Sequence, residues 1–191
     1  ALFVREAELA AERRLGASEY DILAARGNLA NSYQFLGRLE EALPLRRDVY
    51  SGHVNLKGEE HEDTLGEANN YANCLILLQR FEEAKSLLRK MIPVARRVLG
   101  ESHELTLKMQ CAYAQSLYRN TAATLDDLRE AVETLEDAER TARRVLGGAH
   151  PLMVGTEQQL RKLRELLAAR EALREAKATE AITPGERVTD K

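Results

Sequence analysis

The sequence predicts an all-α protein, an α-α superhelix of stacked helical hairpins closed by a long C-terminal capping helix. Three observations predict it. Gly16, Gly58 and Gly100 stand 42 residues apart, and "GRLEEA" (37–42) returns at the same offset as "QRFEEA" (79–84). The "ARRVLGESH" of 95–103 reappears as "ARRVLGGAH" at 142–150, an offset of 47. Self-similarity at a fixed period is the signature of stacked supersecondary units. Aromatics make up 5% of the chain and Trp is absent, so the core must be built from Leu, Ala and Val. Such side chains suit close-packed helices better than a β-sandwich.

The elements follow in order. "ALFVREAELAAERR" at the N-terminus is amphipathic and charged, which is not the pattern of a signal peptide. Aligned to the repeat, Val4 matches Leu88 and Ala7 matches Met91. Residues 1–15 are therefore expected to be the second helix of a truncated repeat with an exposed apolar face, and the chain to be a piece of a longer array. Repeat one spans 16–57 and repeat two 58–99. In repeat two, Leu65, Ala68, Tyr71, Ala72, Leu75 and Leu78 recur at helical spacing and predict a first helix over about 63–78. Phe81, Ala84, Leu87, Leu88 and Met91, with Val94 or Ala95, predict a second over about 81–99. Pro93 removes one backbone donor inside it, and Leu99-Gly100 ends it. The acidic pairs Glu40-Glu41 and Glu82-Glu83 open second helices and Arg96-Arg97 and Arg143-Arg144 close them, as the helix dipole favours.

Repeat three spans 100–146. Its five extra residues fall in "YRNTAATLDD" (118–127), where Thr124 and Asp127 form a candidate N-terminal capping pair. Thr64 and Thr106 open first helices and are expected to cap or shield their first turns. After "HPLMV" no second-helix signature appears, so one long helix over about 151–178 is expected within a capping segment 147–180. There Leu160, Leu163, Leu166, Leu167 and Leu173 need cover. Terminal units of such arrays must solvate a face that inner units bury. The polar 181–191, with Pro-Gly, is expected to be a disordered tail.

The segments "GEEHEDTLGEANNYANCLILLQRFEEAKSLL" (58–88) and "LGESHELTLKMQCAYAQSLY" (99–118) resemble the 42-residue tetratricopeptide repeats of kinesin light chains. The resemblance covers about residues 11–154. It departs from the pattern at Ala112, where an Asn would stand, and Pro follows the repeat His only at Pro151. No heptad segment accompanies it. The resemblance implies a right-handed tetratricopeptide repeat solenoid whose first helices line the concave side. It also implies that the Asn positions Asn28, Asn31, Asn70 and Asn73 grip the backbone of a bound peptide.

The residues support that reading independently. "NLAN" (28–31) returns as "NYAN" (70–73), and residues three apart share a helix face. Each Asn offers two donors and two acceptor sites, so a ladder of them can meet both the N–H and the C=O of an extended chain. Asn69 is expected to extend this face, and Lys108, Cys111, Gln115, Tyr118 and Arg119 occupy it in repeat three. Lys108 and Arg119 could pair with acidic ligand side chains. Ile76, Leu77, Phe35 and Tyr118 could supply apolar contact, with inter-helix packing the alternative for Phe35 and Leu77. Two readings of the asparagines stand: peptide contact, or bonding between the loops of adjacent repeats.

The function predicted is a protein-interaction scaffold that binds an extended peptide segment in the concave groove. The alternative is an architectural spacer or self-association module, a homo-oligomer joined through exposed terminal helices. The net charge of −3 supplies no basic field for nucleic acid or an anionic membrane, and no apolar run reaches the length of a membrane span. A soluble, cytoplasmic protein is expected. No catalytic motif is present. No cofactor or metal is expected either. His61, His103 and His150 are separated by whole repeats and cannot converge on one ion, so each is expected to pack or bond within its own turn. Cys74 and Cys111 read as small buried hydrophobes.

Overall fold

The computed structural model describes residue 6 and residues 16–182, with side chains as far as Thr179. The expected helix over 1–15, apart from the helical Glu6, and the segment 183–191 lie outside the described residues. Among the described residues seven helices follow one another: α1 Glu19–Phe35, α2 Leu39–Lys57, α3 Glu62–Leu77, α4 Phe81–Val98, α5 Glu104–Tyr118, α6 Leu125–Leu146 and α7 Pro151–Ile182. Each packs on its sequence neighbours, and α3 also packs directly on α5. Three hairpins therefore stack in order, and α7 covers the last. None of these helices is long and apolar enough to cross a membrane.

The helix boundaries have local causes. Gly58, Gly100 and Gly147 hold positive φ values of 84°, 94° and 81° where the second helices end, a conformation glycine adopts without penalty. After the first helices Gly37 does the same, and in repeat two Gln79 takes its place at φ 59°. The capping of first helices differs from expectation. The Nδ1 atoms of His61, His103 and His150 accept the backbone N–H of Asp63 (3.2 Å), Leu105 (3.3 Å) and Leu152 (3.3 Å). Each imidazole thus satisfies one of the orphan donors of a helix start. Thr64 and Thr106 are buried further in and do not cap. Thr64 Oγ1 donates to the His53 carbonyl at 3.3 Å, and Thr106 Oγ1 has no partner.

The five-residue insertion is confined to the turn between α5 and α6. There Thr124 and Asp127 form a reciprocal capping box, Asp127 N–H to Thr124 Oγ1 at 3.1 Å and Thr124 N–H to Asp127 Oδ2 at 2.9 Å. At the other end, α7 runs to Ile182, so residues 181 and 182 are helical rather than part of a tail. Glu171 pairs with Arg129 at 2.8 Å, and past it Arg174, Glu175 and Ala178 still border Leu125 at the start of α6. Leu160 and Leu163 are buried, but Leu173 is 54% exposed.

The main core is continuous from Leu65 to Leu163. Leu88 and Leu135 are fully buried in it at equivalent positions of α4 and α6, each stabilising the fold by about 1.5–3 kcal/mol. Ala95 is buried and Val94 half-buried. The buried residues of repeat one (Leu23, Leu29, Ala30, Ala42 and Val49) stand outside that core. Leu43 and Tyr50 of α2 reach it. The Tyr50 ring stacks on Tyr71 at 6.1 Å, and its hydroxyl donates to Met91 Sδ at 3.6 Å.

Candidate peptide-binding surface

The first helices α1, α3 and α5 carry the asparagine faces. Asn28 and Asn31 are exposed, and Asn70 and Asn73 are half-buried. Among the described residues no side-chain hydrogen bond engages Asn28, Asn70 or Asn73. Asn31 keeps its amide N–H groups, but its Oδ1 accepts from Arg46. Asn69 departs from expectation: it is 7% exposed, with Oδ1 bonded to nothing. At 100° per residue it is turned a quarter circle from Asn70. Its equivalents one repeat away are Gly27 and Cys111, both buried. Cys111 Sγ lies 3.3 Å from Thr156 Oγ1 of α7, so this register position faces the next first helix rather than open solvent. Burial pushes the Cys111 thiol pKa upward, as expected for an inert packed cysteine.

The repeat-three candidates are more occupied. Lys108 pairs with Glu104 at 2.7 Å, and that bond holds the Glu104 carboxyl below the usual carboxylate range. Gln115 Nε2 donates to Gln159 Oε1 at 3.3 Å and so ties α5 to α7. Tyr118 is half-buried, and burial raises its phenol pKa. Arg119 is exposed at the end of α5. Ile76 is buried in the core and is unavailable for ligand contact. Phe35 is 92% exposed and Leu77 is also exposed, so neither is inter-helix packing.

Between α1 and α3 the stack opens. A cavity of about 430 Å³ is lined from α1 by Tyr20, Leu23, Ala24, Gly27, Asn28 and Asn31, and from α3 by Glu62, Asp63, Gly66 and Glu67. His53 of α2 and Leu105 of α5 complete it. Three residues around the opening break the repeat's own pattern. Gly27 stands where Asn69 and Cys111 fill the gap in later repeats, and a Cβ on Gly27 would meet only Val49, at 4.0 Å. Arg46 occupies the core position held by Leu88 and Leu135. His53 occupies that of Ala95 and Ala142.

Arg46 is 3% exposed. Its Nε donates to Gln34 Oε1 at 2.6 Å, and its Nη2 to Gln34 and Asn31. Nη1 stands 3.7 Å from Glu67. Burial pulls the guanidinium below the usual arginine pKa, and the Glu67 charge opposes that pull. On the rim, Lys57 bonds Asp63 and holds its carboxyl below the usual range. Lys57 also sits 4.4 Å over the Tyr20 ring. Sequence reading did not single out Arg46, His53, Glu67 or Tyr20. The signal was present: advancing Arg46 and His53 by one period lands on Leu88 and Ala95, marking polar groups at core positions.

The tetratricopeptide repeat family pattern matches residues 22–63 and 68–104. No curated protein matches the chain. Among solved structures, a point-substituted form of a Podosopora anserina kinesin light chain protein with nearly identical TPR-like repeats superposes with a TM-score of 0.74. It is 23% identical, over 95% of this chain and 84% of that one. The unsubstituted Podosopora anserina protein gives a TM-score of 0.72 at 23% identity, over 91% and 81%. BtubC (BKLC) from P. vanneervenii gives 0.61 at 16% identity, over 92% and 71%. The pattern match places tetratricopeptide repeats in residues 22–63 and 68–104, and these shared folds show that the chain takes the same kind of helical-repeat fold.

Proposed function

We propose that the face formed by Asn28, Asn31, Asn70 and Asn73 holds an extended segment of another protein through its main chain. Tetratricopeptide repeats as a class mediate protein–protein interaction and are typically scaffolds rather than enzymes. The observation that carries the finer reading is the unmet hydrogen-bonding capacity of Asn28, Asn70 and Asn73, repeated at one register on successive first helices. Asparagine is a mediocre helix former, and amides serving the scaffold would find partners within it. Each neutral hydrogen bond gained contributes about 0.5–1.5 kcal/mol net. Four such residues therefore give modest affinity with little side-chain selectivity.

The test is the double variant Asn70→Ala/Asn73→Ala, titrated with peptides selected from a random library on the wild-type protein and melted in parallel. Affinity is expected to fall at least about tenfold, on two or more lost bonds, with the melting temperature unchanged. A lowered melting temperature with undiminished peptide binding would assign the asparagines to the scaffold instead.

A further inference from the structure

The cavity between α1 and α3 carries a charge pattern that main-chain recognition leaves unused. Its α3 wall presents three carboxylates, Glu62, Asp63 and Glu67. Two cations face them. Lys57 is committed to Asp63. Arg46 spends its hydrogen bonds on Gln34 and Asn31 and approaches Glu67 only to 3.7 Å. Glu67 Oε2 accepts no hydrogen bond, and Glu62 faces only His103, whose Nε2 is 3.7 Å away. The wall thus keeps a surplus of negative charge, three carboxylates against two cations.

A second, independent feature borders the same space. His53 lines the cavity, is 7% exposed, and has an Nδ1 bonded to nothing. An unmet buried polar group is costly, and the equivalent residues Ala95 and Ala142 carry no such group. Its ring meets Tyr20 edge-on at 6.2 Å, so cavity wall and imidazole are held together.

Building on the peptide-groove reading, we propose that this cavity is a subsite for one arginine side chain of the bound segment. Glu67 and Glu62 take its charge, and His53 lines the pocket floor. A guanidinium offers five N–H donors in a planar fork, which suits carboxylates on one wall better than a lysine ammonium does. Asn28 and Asn31, on the opposite wall, are placed to hold the main chain on either side of that residue. The asparagines would then give affinity and the cavity a residue preference.

The experiment selects peptides from a random library on the wild-type protein and compares the selected sequences, and their alanine-for-arginine versions, on three variants. Wild-type protein is expected to enrich arginine at one register position. Glu67→Gln should weaken the arginine peptide about tenfold, the scale of a partly buried charge contact, and leave the alanine version unchanged. Glu62→Lys, at an exposed position on the helix start, should abolish the preference by itself with no more than a small loss of stability, checked by its melting temperature, so a poorly folded Glu67→Gln would not rescue the proposal. Peptides that depend on Asn70 and Asn73 but show no arginine preference, or one that survives both charge changes, overturn the subsite and leave the groove standing. Peptides indifferent to Asn70→Ala/Asn73→Ala, or an empty selection, overturn both.

Discussion

Arg46 and Glu67 stand one period before the apolar Leu88 and Met109. The buried guanidinium has lost its hydration and recovers it only partly through Gln34, Asn31 and a distant carboxylate. Replacing a buried ion pair by apolar residues of similar size is often stabilising, whereas removing one partner strands the other. The double variant Arg46→Leu/Glu67→Met, which copies the residues one period on, is expected to raise unfolding stability by about 1–4 kcal/mol. Glu67→Met alone should lower it by about 1–3 kcal/mol, the cost of leaving a buried polar group unmet. Urea unfolding of the four forms of this cycle measures both, and a pair of additive single effects would refute the coupling. The asparagine faces were legible from three-residue spacing alone. The burial of Asn69 was not, because one more polar residue in a polar run carries no mark of the neighbouring helix that covers it. Comparing it with Gly27 and Cys111 supplies that mark.

At the scale of the helix, the turns decide the ends. The Thr124–Asp127 box caps α6 at the one turn lengthened by insertion, whereas α2 and α4 start at Arg38 and Arg80 without a side-chain cap. Thr124 holds the Asp127 carboxyl below its usual range, with Lys85 and Arg89 adding to the effect. A depressed folded-state pKa contributes stability that is present above the unfolded value and lost as pH falls through the folded one. Thr124→Ala should therefore cost about 1 kcal/mol near neutrality. The loss should shrink as pH drops below about 4, the unfolded aspartate value. Thermal melts across that range would show it, and a pH-independent loss would refute the role of the carboxylate. Most helix boundaries were readable to within a residue or two, since glycine and apolar spacing are local. The histidine caps were only half readable: repetition assigned each His to its own turn, but threonine is the commoner capping acceptor. Geometry favours the residue just before the helix, where an Nδ1 lone pair can reach the N–H two positions on.

Across the whole molecule, the period of 42 made the stacked hairpins legible, because a hairpin cannot bury its own apolar face and must stack. The uneven coupling of the stack was hidden. From Leu65 to Leu163 the core runs unbroken, whereas repeat one joins it through α2, by Leu43, Tyr50 and the Thr64–His53 and Lys57–Asp63 bonds, and among the described residues α1 lacks the packing on α3 that α3 has on α5. In a stacked array, stability is close to a sum of unit and interface contributions, so a first helix that packs only on its own hairpin partner opens more readily than the rest. Backbone amides of α1 are expected to exchange with solvent at least about tenfold faster than those of α3–α6, as a sub-global opening allows. Equal protection along the array would show a single cooperative unit.

The same opening between α1 and α3 has a mechanical meaning. A rod built from identical joints shares tension evenly, but one with a slack joint concentrates strain there. Stretched from its two ends, this chain would part at the boundary between residues 57 and 62, shedding one hairpin while the rest stayed intact. A guest lying across that seam would bear the load in its place.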